Sequence, residues 1–122
     1  MSYRIVKNIS IFEKNVVIEC YDTGNGINVL LEGGDKGHIG AVAVLSADMP
    51  LQLITFPTHK ETIVCKRWAE LLFERFQVPV VVEAGIHYDN IGKSEITRIL
   101  ERLEEELFLL INDMEKEEHT NV

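Results

Sequence analysis

The chain has 122 residues, 46% apolar and 26% charged, with 12 basic against 20 acidic side chains and a formal net charge of −8. These values suit one globular domain over residues 1–122 with a modest core. The acidic balance argues against nucleic-acid binding, which leans on a basic face, and against docking on anionic membranes. No apolar run approaches the roughly 20 residues that cross a bilayer.

The first segment, "MSYRIVKNIS", lacks the apolar core of a signal peptide, so the cytoplasm is the expected compartment. The first half then reads as strands. "YRIVKNISIF" and "NVVIECYD" are rich in β-branched residues. The turn signal "DTGNG" leads into "INVLLEGG". A glycine-rich loop follows, then "IGAVAVLS", and after "ADMP" comes "LQLITF". Neighbours joined by such short connections are expected to pair as an antiparallel meander.

From Thr58 to Gln77 the period changes. Ile63, Val64, Trp68, Leu71, Leu72 and Phe76 recur at helical spacing, and Thr58 with Glu61 forms a T-x-x-E capping box. "VPVVVEAGI" reads as a short buried strand. Ser94 is placed to cap a last helix whose stripe runs through Ile96, Leu100, Leu103, Leu107, Leu110 or Ile111, and Met114. Glu101, Glu104, Glu105 and Glu106 lie mostly off that stripe, and residues 117–122 are expected to fray. The fold class is therefore α+β: a mainly antiparallel sheet from an N-terminal strand meander, with a strand between two helices packed on the sheet. The apolar arc of the last helix, with Phe108 beside Leu107, exceeds what one small sheet covers, so a homodimer is expected.

Chemistry gathers where loops meet regular elements. The first cluster is "GGDKGHIG", with Gly33, Gly34, Asp35, Lys36, His38 and Gly40. It reads either as a backbone nest for an anion with Lys36 as a cation, or as a wide bulged hairpin. It is not a P-loop, because GxxxxGK[ST] is absent and a strand follows. The second cluster is "PTHKE". It sets His59 and Lys60 in the first turn of a helix, where cations are unfavourable without an anion, unless Glu61 offsets them. The third is "EAGIHYDN", with His87, Tyr88, Asp89 and Asn90. Here Asp89 either orients the His87 ring or joins Asn90 as a turn former. The three histidines show no H-x-H or HExxH spacing, so no metal site is expected. Cys20 and Cys65 sit among apolar neighbours, with no CxxC pair, and read as buried free thiols. No catalytic residue stands out.

Taken together, "GGDKGHIGAVAV", "PTHKE" and "VVEAGIHYDNI" resemble the small D-subunit proteins of gallate-type (phenolic acid) decarboxylases. Those proteins are prenylated-flavin chaperones and are similar in fold to proteasome assembly chaperones. The family pattern runs GGDxPHIG, PGHKE and GIHWDN; Gly37 stands here for the proline, Thr58 for the glycine and Tyr88 for the tryptophan. The resemblance covers about Gly33 to Ile91. It implies a non-enzymatic protein that binds prenylated FMN, or FMN, and helps a UbiD-type decarboxylase subunit acquire or keep it. On that reading the three clusters hold the flavin: phosphate on the glycine loop and helix start, ring near Tyr88, and histidines on phosphate or ring edges. The alternative is an assembly or interaction module like the proteasome assembly chaperones, with no small molecule. A third reading is an enzyme acting on a small phosphorylated substrate.

Overall fold

The computed structural model describes residues 2–56 and 61–120. Among these, six strands make one sheet: β1 (Tyr3–Ile11), β2 (Lys14–Asp22), β3 (Ile27–Gly34), β4 (Lys36–Ser46), β5 (Met49–Thr55) and β6 (Val80–His87). Helix α1 (Thr62–Phe76) joins β5 to β6, and α2 (Lys93–Thr120) follows β6. The α+β class read from the sequence is the observed one. Period-two alternation sets the strand faces. β2 buries Val16, Ile18 and Cys20 and leaves Val17, Glu19 and Tyr21 half covered on the other side.

The meander holds in two pieces, β1-β2-β3 and β4-β5, but β3 and β4 are not neighbours. The strand order is β1-β2-β3-β6-β4-β5. β6 lies parallel to β3 and antiparallel to β4. The hairpin expected at Gly33–Gly40 is thus a connection between two strands that flank a third. Composition supplies the reason. β6, "VVVEAGIH", has Val80, Val82, Ala84 and Gly85 buried. A strand this apolar is best placed centrally, where both backbone edges are paired away from water.

The β1-β2 turn at Phe12 and Glu13 carries φ of 50° and 64°. Both central residues have positive φ, as a type I′ turn requires, without the usual Asn or Gly. The Phe12 ring packs edge-on against Tyr88 at 6.3 Å between centroids. That contact offsets part of the local strain.

Both helices cover one sheet face. α1 buries Val64, Cys65, Trp68, Ala69 and Leu72. The face is rotated from the sequence stripe: Ile63 is 64% exposed, and small Cys65 and Ala69 point inward instead. Cys65 donates its thiol to Ala41 O at 3.4 Å. Small residues on the helix, set over Ala41, Ala43 and Ala84 of the sheet, let the helix approach closely. Both cysteines are free and buried, as the sequence suggests, and burial pushes each thiol up to about 12.

α2 buries Ile99, Leu103, Leu107, Leu110, Ile111 and Met114. Ile96 and Leu100 are only half covered, and Ile99 takes the core position instead. Met114 Sδ lies 3.9 Å from Cys20 Sγ, so the helix crosses toward β2. Lys7 reaches Asp113 at 2.9 Å, and Arg102 donates to Ser10 O at 3.2 Å. Glu106, placed off the stripe by the sequence, is buried and held by Arg102 Nε at 3.0 Å. Arg67–Glu104 and Arg75–Glu115 pairs at 2.7 and 2.8 Å link α1 to α2. Exposed pairs of this kind contribute about 0–1 kcal/mol each.

Ser94 is not the cap. Gly92 precedes the helix, Ile96 N–H donates to Gly92 O, and the Glu95 carboxylate accepts the Gly92 N–H at 3.0 Å. This is the reciprocal half of a capping box. Helix α2 continues to Thr120, through most of the tail read as frayed. In one copy Leu107, Leu110 and Ile111 are already covered, and Phe108 and Leu109 stay exposed at 43% and 49%. Among the described residues no helix is long and apolar enough to cross a membrane.

A Cβ on Gly85 would collide with the His38 carbonyl, which crosses directly over it. Gly85→Ala is expected to destabilise the fold by about 2–3 kcal/mol, read as a lower urea midpoint at unchanged m-value.

Candidate functional site

The site grows from the end of β6. β3 and β4 flank this strand, and the chain passes from one to the other around its C-terminal end through Asp35. Gly34 and Lys36 both stand opposite His87, one on each side. Asp35 N–H donates to His87 O at 2.7 Å. Gly34 turns the corner at φ +86°, and a Cβ there would strike the same His87 carbonyl. Only glycine combines that backbone angle with that approach.

The Asp35 side chain ties the next loop to this corner. Its Oδ2 accepts the Asp89 N–H at 2.9 Å, and its Oδ1 lies 3.4 Å from Lys14 Nζ. The Asp89 N–H, aided by Lys14, holds the Asp35 carboxyl below its ordinary 3.8, against a weaker opposing effect of desolvation. Asp89 in turn meets His87 Nε2 at 2.9 Å. Asn90 turns the chain at φ 55°, an angle that Asn tolerates. Asp89 as ring partner and Asn90 as turn former therefore both occur.

On the other flank, β4 bulges between Gly37 and Ala41. The bulge carries His38 inward, where its Nε2 pairs with Glu61 Oε1 at 2.9 Å. Glu61 is the residue just before α1. It makes no side-chain cap, and it is buried. Its carboxylate lies against Gly40, while that of Glu32 lies against Gly37. The His38 and His87 rings come within 5.6 Å of each other. Two imidazole–carboxylate pairs thus share one corner.

Beside that corner a cavity of about 310 Å³ opens between α1, the end of β6 and the start of α2. Val64, Ile86, Ile96, Ile99 and Leu103 supply apolar wall, and Glu61, His87 and Asn90 supply polar groups. Tyr88 also lines it, with its hydroxyl donating to Ile11 O at 2.7 Å. Burial, and then the nearby Asp35 carboxylate, raise the Tyr88 phenol above its ordinary 10.0. Its buried ring spans the cavity wall and the β1-β2 turn.

The structure therefore brings together Asp35, Lys36, His38, Gly40, His87, Tyr88, Asp89 and Asn90, with Gly33 and Gly34 in the strand leading to the corner. His59 and Lys60, and the Thr58 half of the capping box, lie outside the described residues. Helix α1 begins at Thr62, with Glu61 before it, and the Glu61 carboxylate pairs with His38. Sequence reasoning missed Glu61 as a site residue and missed the α2 wall. Ile96 and Leu100 read as core positions on the stripe, and only the structure shows them half covered beside the cavity. Among the described residues no group of three His, Cys, Asp or Glu is placed to hold a metal.

Residues 11–115 match the family described as the prenylated flavin chaperone LpdD-like domain. Protein LpdD of Lactiplantibacillus plantarum is 28% identical over 78 residues, covering 60% of this chain and 57% of that protein. The alignment thus spans little more than half of that relative. The fold is similar to a chain in the crystal structure of a chaperone complex for yeast 20S proteasome assembly. That likeness has a TM-score of 0.61 at 14% identity and covers 91% of this chain and 96% of that one.

Two outcomes are expected from the corner. Tyr88→Phe removes one hydrogen bond to the Ile11 carbonyl, at a cost of about 0.5–1.5 kcal/mol, measured by denaturant unfolding. Asp35 has a lower pKa folded than unfolded. Its contribution is therefore present above the unfolded value of about 3.9 and is lost as pH falls through the depressed one. Asp35→Asn should flatten the acid-side fall of the thermal midpoint below about pH 4.

Proposed function

Because the chain belongs to the prenylated flavin chaperone family with the LpdD-like domain, we propose that it binds prenylated FMN without transforming it. It assists delivery of the cofactor to, or its retention by, a UbiD-type decarboxylase acting on gallate or other phenolic acids. The supporting observation is the largely apolar cavity of about 310 Å³ with His87 and Asn90 in its lining and the His38 ring 5.6 Å from that of His87. Small-molecule sites run from about 300 to 1,000 Å³ and combine apolar walls with a few polar groups. This cavity fits a fused ring better than a whole nucleotide, so the phosphate belongs at the mouth.

The residues present fit such a group. Ile86, Ile99, Leu103 and Tyr88 would pack on the ring. His87 and Asn90 would meet its polar edge. For the phosphate, the chain offers Lys36, the rim imidazoles, and His59 with Lys60. The reactive chemistry that the cofactor supplies belongs to the decarboxylase that receives it. Non-enzymatic binding also suits the thiols, which are raised to about 12 and buried, and so are poor nucleophiles.

A second reading, an assembly or interaction module with no small molecule, is favoured by exposed Ile54, Phe56 and Ile63. An anaerobic titration followed by flavin absorbance separates the two. Saturable binding of prenylated FMN, weaker for FMN, is expected. Ile96→Trp, which fills the cavity from its half-exposed wall, should weaken binding at least about tenfold (~1.4 kcal/mol) with the circular dichroism unchanged. No binding of either flavin would transfer the function to the protein-interaction reading.

A further inference from the structure

The two edges of the sheet differ. The β1 edge carries Arg4 and Lys7, engaged with Glu19 and Asp113. Charges on an edge strand are a common guard against pairing with another chain. The β5 edge, "MPLQLIT", has no charged residue. Leu53 and Ile54 are exposed at 38% and 57%, flanked by Phe56 at 43% and Ile63 at 64%. Among the described residues β5 has only β4 as a strand neighbour.

The register shows which backbone groups are left over. Phe56 N–H donates to Gly40 O at 2.8 Å, and the ladder pairs Ala41 with Thr55, Val42 with Ile54 and Val44 with Gln52. In an antiparallel pair, hydrogen-bonded and non-bonded positions alternate. Ile54 and Gln52 therefore bond inward to β4, and Leu53 and Thr55 turn N–H and C=O away from the sheet. The ladder shifts register between Val44 and Ser46, so Pro50 and Leu51 fall in an irregular stretch and the regular edge begins at Gln52. Leu53 lies midway between the two inward-bonded residues, Gln52 and Ile54.

We propose that β5 pairs with β5 of a second copy, antiparallel about a two-fold axis at Leu53, to make one continuous sheet. Leu53 then faces the same residue of the second copy, and Leu51 faces Thr55 on both sides. The central Leu53 pair exchanges two hydrogen bonds. The occupant is a second copy because the strip is self-complementary in both register and charge, as an isologous contact requires. Over a chain of net charge −8, this strand is where two copies meet without opposing like charges. The proposal is independent of flavin binding, and its test reads mass, not ligand.

Light scattering over a concentration series is expected to give twice the 13.9 kDa chain mass. Leu53→Pro removes the central outward N–H and should reduce the mass to that of one chain with the circular dichroism retained. Leu53→Cys should cross-link under mild oxidation, because opposed Cα atoms of a hydrogen-bonded pair lie about 5.5 Å apart, within disulfide range. Buried Cys20 and Cys65 do not compete, and Val6→Cys on β1 should stay uncross-linked. A one-chain mass for the unaltered protein at every concentration overturns the proposal. So does a dimer that survives Leu53→Pro while Leu53→Cys fails to cross-link, the result expected if Phe108 and Leu109 on α2 held the copies together.

Discussion

The structure depends on one constraint: the chain must travel from β3 to β4 around the end of a strand made much later. β6 is strongly apolar and seeks the middle of the sheet. To leave room for it, β3 and β4 part, and a single non-strand residue, Asp35, bridges the gap. That residue spends its N–H on the His87 carbonyl and its carboxylate on the Asp89 N–H and Lys14. Without Gly34 the bridge could not come so close. The pairing of β6 with both neighbours and the placing of His87 are one event.

The site inherits its order from that corner. β4 leaves it with a bulge, which aims His38 at Glu61. The residues after His87 form a loop tied back to Asp35. Two imidazole–carboxylate pairs end up side by side because strands from distant parts of the sequence end together. Each histidine is oriented by a different element, so the rings are held without a shared ligand. Such scaffolding suits a site that binds, since its geometry precedes the arrival of a partner.

The cavity has a different origin. α1 settles close to the sheet over small side chains, and α2 is drawn toward β1 and β2 by Met114, Lys7 and Arg102. Near the start of α2 the helices leave a gap that Ile96 and Leu100 only partly fill. Tyr88 carries the gap's far wall to the β1-β2 turn, where Phe12 sits in a left-handed conformation. Core packing, turn geometry and cavity shape are therefore coupled through one aromatic ring.

By itself the sequence determined the kinds of element, their order and the α+β class. Period-two and period-3.6 patterns are local and survive reading one residue at a time. It also marked most of the residues that meet at the corner, since Gly, His, Asp and Asn gather where turns join the elements. Only the tertiary structure decided that β6 separates β3 from β4, because strand order depends on which edges are paired, and edge pairing leaves no local trace. The rotation of α1, with Ile63 outward and Cys65 inward, came from the small side chains across the interface. Glu61, read from the sequence as part of a helix cap, also partners His38, because a bulge in another strand brings that histidine within 2.9 Å. Those contacts join residues far apart in the chain, and no spacing rule encodes them.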